Sequence, residues 1–194
     1  MIALTLAALL TAQPVPPPPD NQDGECARAV ILSWAARVDR LRGRRGKTAQ
    51  LVALSDAAGK WGPLVRIDPD FIRAIMWTES KGTNKAGKIG ERGPYQMIPR
   101  YVRSLTEWRR AELIDKMEEA DAGTMLFARF LDRIVRKYGR GPALVIYTCG
   151  PSRCRRKVSR QFMRSTRASR KYWRNYRRLK QDQRSLKERG QCAR

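Results

Sequence analysis

Histidine is absent from all 194 residues, and that absence removes whole classes of chemistry. Without imidazole there are no Ser–His or Cys–His nucleophile pairs, and no His-ligated zinc of the kind found in cell-wall amidases and metallopeptidases. Cysteine is scarce as well. The four, Cys26, Cys149, Cys154 and Cys192, include no C-x-x-C pair, which argues against an all-cysteine zinc site. No metal and no cofactor is expected. Acidic residues are also few, 18 against 41 Lys and Arg, leaving a formal charge of +23. Solubility alone needs far less, so an anionic partner is expected. The last shortage is of apolar length: no run reaches the roughly 20 residues of a membrane span.

What is present suits one packed domain. Hydrophobic residues make up 42%, with five Trp and six Tyr, and the length accommodates a domain of about 100–150 residues plus tails. The start, "MIALTLAALLTA", has the small, apolar character of a signal-peptide h-region. Residues 1–13 are read as an export signal, with only the terminal amine as its positive charge; an uncleaved hydrophobic anchor or an accidental leader is the alternative. Export to the periplasm or cell envelope also suits an even number of cysteines, because disulfides persist outside the reducing cytosol. The simplest pairing joins Cys149 to Cys154 and Cys26 to Cys192, against a competing reading of four free thiols. Residues 14–24 form a Pro-rich linker outside any core.

The remainder patterns as helices, so the fold class is all-α. "CARAVILSWAARVDRL" places Ala29, Val30, Ile31, Trp34, Val38 and Leu41 at helical spacing. "TAQLVALSDAAGKWGP" predicts a short helix ending at Gly59, with Trp61 and Pro63 in the following turn. Asp68 as N-cap and Pro69 at the first helical position open a third helix, on which Phe71, Ile75 and Glu79 recur every four residues and share a face. "PRYVRSLTEW" predicts a turn of helix, and "AELIDKMEEADAGTMLFARFLDRIVRKYG" one or two helices stopped by Gly139. "PALVIYTCG" reads as a buried helix from Pro142 to Gly150, although its Leu-Val-Ile run is equally compatible with a strand.

Glu79 is the residue that invites a chemical reading. It closes an apolar stripe, where the helix C-terminal carbonyls and the neighbouring Ile75, Met76 and Trp77 disfavour the carboxylate anion. A carboxyl that keeps its proton can act as a general acid and cleave an acetal. The plain alternative is a solvated residue at a frayed helix end.

Four ordered segments tip the balance: "ESKG", "GKIGERGPYQMIP", "EADAGTMLFARFLDRIVRKYG" and "IYTCGPSRCRR". Together, over about 67–156, they resemble the catalytic domain of soluble-type (SLT) lytic transglycosylases, which has a lysozyme-like fold. The resemblance implies that Glu79 is the catalytic acid, with Ser80 the adjoining hydroxyl. Gly93, Pro94, Tyr95 and Gln96 take the places of a Gly-Leu-Met-Gln segment, so Gln96 matches the family's glutamine. The five residues from Ile146 to Gly150 fall on Ala-Tyr-Asn-Ala-Gly, which gives Tyr147 the place of the tyrosine lining the site. Thr148 stands where the family has Asn and lacks the amide that would hold a sugar N-acetyl group. Substrate contacts are thus expected from Ser80, Tyr95, Gln96, Tyr147 and Thr148, with Tyr95 weighted toward the groove.

The implied reaction is cleavage of the β-1,4 bond between N-acetylmuramic acid and N-acetylglucosamine in peptidoglycan, closing a 1,6-anhydro ring. Two alternatives stand beside it: a hydrolytic muramidase using the same acid with a positioned water and Glu91, whose plain reading is a surface partner for Arg92 or Lys88, and a non-catalytic basic wall-binding protein. On this reading residues 25–155 form the lysozyme-like domain and residues 156–194 a basic helical C-terminal extension. From Pro151 onward 17 Lys or Arg face only Asp182 and Glu188. Arg156, Arg160, Arg164, Arg167, Lys171, Arg174 and Arg178 recur in steps of three or four, interleaved with Phe162, Trp173 and Tyr176. A cationic helix of this kind attracts an anionic wall polymer or membrane surface, with nucleic acid the least expected ligand; the alternative is a last helix whose aromatics complete the core. A secretion apparatus or a phage is a compatible setting.

Overall fold

The computed structural model describes residues 21–42, 48–149 and 167–192. The export leader, most of the Pro-rich linker, the Cys149–Cys154 pairing, the Thr148 side chain, Phe162 and the arginines at 156, 160 and 164 lie outside what is described. Eight α-helices are found among the described residues: α1 (Asn21–Arg42), α2 (Thr48–Leu64), α3 (Pro69–Glu79), α4 (Pro99–Val102), α5 (Arg110–Glu118), α6 (Ala120–Tyr138), α7 (Arg140–Cys149) and α8 (Arg167–Glu188), with a 3-10 turn over Arg103–Leu105. The all-α expectation holds.

α3 lies at the centre of this arrangement because its sequence suits burial on most sides. Asp68 accepts a hydrogen bond from the Asp70 amide and Pro69 follows at the first position, an N-terminus stabilised by a cap of about 1 kcal/mol. Ile72, Ala74, Ile75 and Met76 are fully buried, packed between α2 and α8. α6 carries the other half of the core, with Leu126, Phe127, Phe130, Leu131 and Ile134 against α2 and α7.

One expectation about element limits changes. α2 does not stop at Gly59 but runs to Leu64 with Pro63 inside it. Lys60 and Trp61 both reach Asp121 on α6, and Gly62 is pressed so close to the Ile67 carbonyl that a Cβ there would lie 2.7 Å from it. These tertiary contacts outweigh the local turn signals, and a proline in the last turn forfeits only one backbone bond. The "LVIY" run of α7 is helical rather than extended, and Ala143, Leu144, Val145 and Ile146 are all buried between α6 and α8. A helix covered on several sides is apolar around its circumference, which erases its periodicity.

The described part of the basic C-terminal segment is helical over Arg167–Glu188 and packs into the fold. α8 packs antiparallel to α3, more extensively than any other helix pair here, burying Tyr172 and Leu179. Trp34 on α1 donates to Asp182 on α8 at 2.7 Å, and the Cys26–Cys192 disulfide ties α1 to the chain just beyond α8. That half of the expected pairing is present.

Candidate active site

Glu79 is the last residue of α3 and is half-buried. The Tyr172 hydroxyl, reaching from α8, donates to its Oε1. Burial raises the Glu79 pKa above the ordinary 4.5, and the negative charge of Glu91 adds to that. The Tyr172 hydrogen bond and the positive charges of Lys171 and Lys85 pull the other way without reversing it. Desolvation is therefore the main cause. The helix-end contribution expected from the sequence is blunted, because the Trp77 carbonyl accepts from Lys81 Nζ at 2.8 Å.

Joined to the end of α3 through Ser80 is the turn of Gly93, Pro94, Tyr95 and Gln96. Arg92 and Met97 close it with a pair of backbone bonds at 2.8 and 3.1 Å. Gly93 has φ +70, and a Cβ there would lie 2.0 Å from the Met117 carbonyl, so only glycine lets this turn seat against the end of α5. Ser80 donates to the Pro94 carbonyl at 2.6 Å and accepts from the Gly82 amide at 3.0 Å. Being buried, it bolts the end of α3 to the turn instead of reaching a sugar.

Tyr95 corrects the expectation most clearly. Its ring is 0% exposed and stacks on Phe127 with centroids 4.3 Å apart, while its hydroxyl shares a 2.9 Å hydrogen bond with Thr124. It is a core residue and offers no face to a glycan. Tyr147 is half-buried: its hydroxyl donates to the Tyr95 carbonyl, and its ring packs against Phe127 and Tyr172. Burial and the Glu79 charge raise its pKa well above the usual tyrosine value, so it stays neutral beside the acid.

Gln96 keeps a substrate-facing capacity. Its Nε2 donates to the Lys85 and Gly93 carbonyls at 2.8 and 2.9 Å, which fixes the side chain and leaves the amide oxygen as an acceptor. Glu91 accepts from the Ile89 amide at 2.9 Å; the expected alternative, a surface ion pair with Lys88 or Arg92, does not form. Glu119 pairs with Lys116. An apolar cavity lined by Ile67, Phe71, Leu131, Val135, Trp173 and Tyr176 sits toward the far end of α3, about 12 Å along the helix from Glu79.

Tyr172 is the functional residue that the sequence reading passed over. A signal for it exists: Ser169, Tyr172, Tyr176, Leu179, Gln183 and Leu186 are spaced alternately by three and four, an inward stripe hidden among arginines.

An all-α fold that keeps one partly shielded carboxyl at a helix end, bonded to a phenol, has the parts that general-acid chemistry needs. Comparison with family models gives the same answer, since the model described as Transglycosylase SLT domain matches residues 56–170. That is more than half of the chain, and the chain belongs to this family. Its function is accordingly of the lytic-transglycosylase type, directed at peptidoglycan. No curated protein matches the chain. The matched stretch ends two residues before Tyr172.

Proposed function

We propose that the chain cleaves the β-1,4 bond between N-acetylmuramic acid and N-acetylglucosamine as a lyase, with Glu79 serving first as acid and then as base. The observation that carries this is the contact between Tyr172 and Glu79 on a carboxyl whose pKa burial has raised. Such a group holds its proton where exposed carboxylates have lost theirs, yet has a donor ready for the anion that follows.

Glu79 gives its proton to the glycosidic oxygen, which departs as the hydroxyl of N-acetylglucosamine. The substrate's own N-acetyl oxygen shelters the cationic C1 of the muramic residue. The Glu79 carboxylate then removes the proton from the muramic C6 hydroxyl as that oxygen bonds to C1. The ring closes, the acid is restored, and neither water nor a second carboxylate takes part, in contrast to two-carboxylate hydrolysis. Gln96 is assigned to hold a sugar polar group through its amide oxygen, while Ser80 and Tyr147 hold the turn that carries it. The Cys26–Cys192 disulfide supports a site of action in the periplasm, the cell envelope or, for a phage protein, the host wall.

The hydrolytic reading keeps one observation in its favour, the charge of Glu91 acting on Glu79. Digestion of purified peptidoglycan followed by mass spectrometry separates the readings. The lyase gives anhydro ends, lighter by one water than the reducing ends left by a hydrolase; a wall-binding protein gives no fragments.

A further inference from the structure

The chemistry at Glu79 leaves three arginines of α8 without a task. Its inward stripe packs on α3 and α1, while Arg174, Arg177 and Arg184 are exposed on the opposite side. The ion pairs of α8 are made by Arg178, Lys180 and Lys187. Arg174, Arg177 and Arg184 make none with any described residue. Nothing in the fold accounts for them: like charges three residues apart destabilise a helix, and the first turn of α8 holds no acid to offset its cations.

Along the axis these three guanidinium groups span about 15 Å. They begin half a turn from Tyr172, on the rigid helix that orients the acid. We propose that they form a docking track for the free carboxylates of peptidoglycan stem peptides. The choice rests on the reading of peptidoglycan as substrate and on two features of α8. Arginine forks pair bidentately with carboxylates. A membrane-seeking helix needs its apolar face free, and here that face is packed against α3, with Trp173 the only large apolar side chain of α8 exposed.

The test uses the full chain carrying Glu79→Gln, so that binding is read without digestion, on purified peptidoglycan sacculi sedimented at low salt. Arg174→Gln, Arg177→Gln and Arg184→Gln combined should weaken retention about tenfold. Amidating the stem carboxylates should weaken the parent equally and the triple variant no further. The corresponding triple Lys substitution, matched in helicity, should retain most of the binding. With Glu79 restored, parent and triple Gln variant should cleave peptide-free glycan strands at the same rate. The proposal is overturned if the triple Gln variant binds intact sacculi as the parent does, or if amidated sacculi hold the parent undiminished. It is overturned equally if anionic phospholipid vesicles, and not sacculi, capture the parent through these arginines. Arginine-dependent retention together with no cleavage of any glycan would sustain the track and sink the role given to Glu79.

Discussion

Glu79 is defined by two opposed influences, burial that favours its proton and a Tyr172 hydroxyl that favours its anion. Replacing it with Gln should lower turnover by about a hundredfold to ten-thousandfold, with far-ultraviolet circular dichroism unchanged. The same variant has a stability signature. The folded state holds the Glu79 proton to higher pH than the unfolded chain, so wild type loses stability as pH rises from 4.5 through the raised folded value. Glu79→Gln escapes that loss; in urea titrations it should gain on wild type at neutral pH and not below pH 4.5. Tyr172→Phe removes the donor that stabilises the anion. The alkaline limb of the kcat/KM profile should therefore move to higher pH, and turnover should fall roughly tenfold to a hundredfold as the acid loses its orientation. An unmoved limb would show that Tyr172 has no hold on Glu79. Tyr95→Phe should cost about 0.5–1.5 kcal/mol by removing one buried hydrogen bond, since the Thr124 hydroxyl keeps its bond to the Ala120 carbonyl, without altering KM.

At the scale of elements, the site is a joint between the end of α3, the Gly93–Gln96 turn and α8. Gly93→Ala must place a side chain at φ +70 and 2.0 Å from the Met117 carbonyl, so a loss of at least about 1–2 kcal/mol in chemical denaturation is expected. Much of this joint was legible in the sequence. Asp68–Pro69 announced α3, the every-fourth-residue pattern put Glu79 on its inward face, and the ordered motifs identified the turn. What was illegible has physical causes. Tyr95 beside Gln96 looked like a groove residue because sequence adjacency does not say which way a tight turn aims successive side chains; stacking on Phe127 drew it into the core. Tyr172 was hidden because its contact with Glu79 joins residues 93 positions apart, and its helix is so rich in arginine that charge masked the inward stripe. α2 outran its glycine because Asp121, supplied by another helix, held Lys60 and Trp61.

At the scale of the whole molecule, α8 is the strut that completes the site, and a disulfide just beyond its C-terminal end secures it. The Cys26–Cys192 link spans 166 residues of sequence and anchors α8 to α1. Replacing both cysteines with Ser should lower unfolding stability by about 2–5 kcal/mol. Because α8 also carries Tyr172, activity should fall in parallel, and a thiol reductant should reproduce both effects on wild type. On the proposed mechanism Glu79 alone, without a catalytic water, opens the glycan. Digestion of purified peptidoglycan in water enriched with heavy oxygen, with products weighed by mass spectrometry, tests it most directly. Anhydro-muramic fragments free of the heavy label, formed by wild type and not by Glu79→Gln, are the predicted result; reducing ends carrying the label would contradict it.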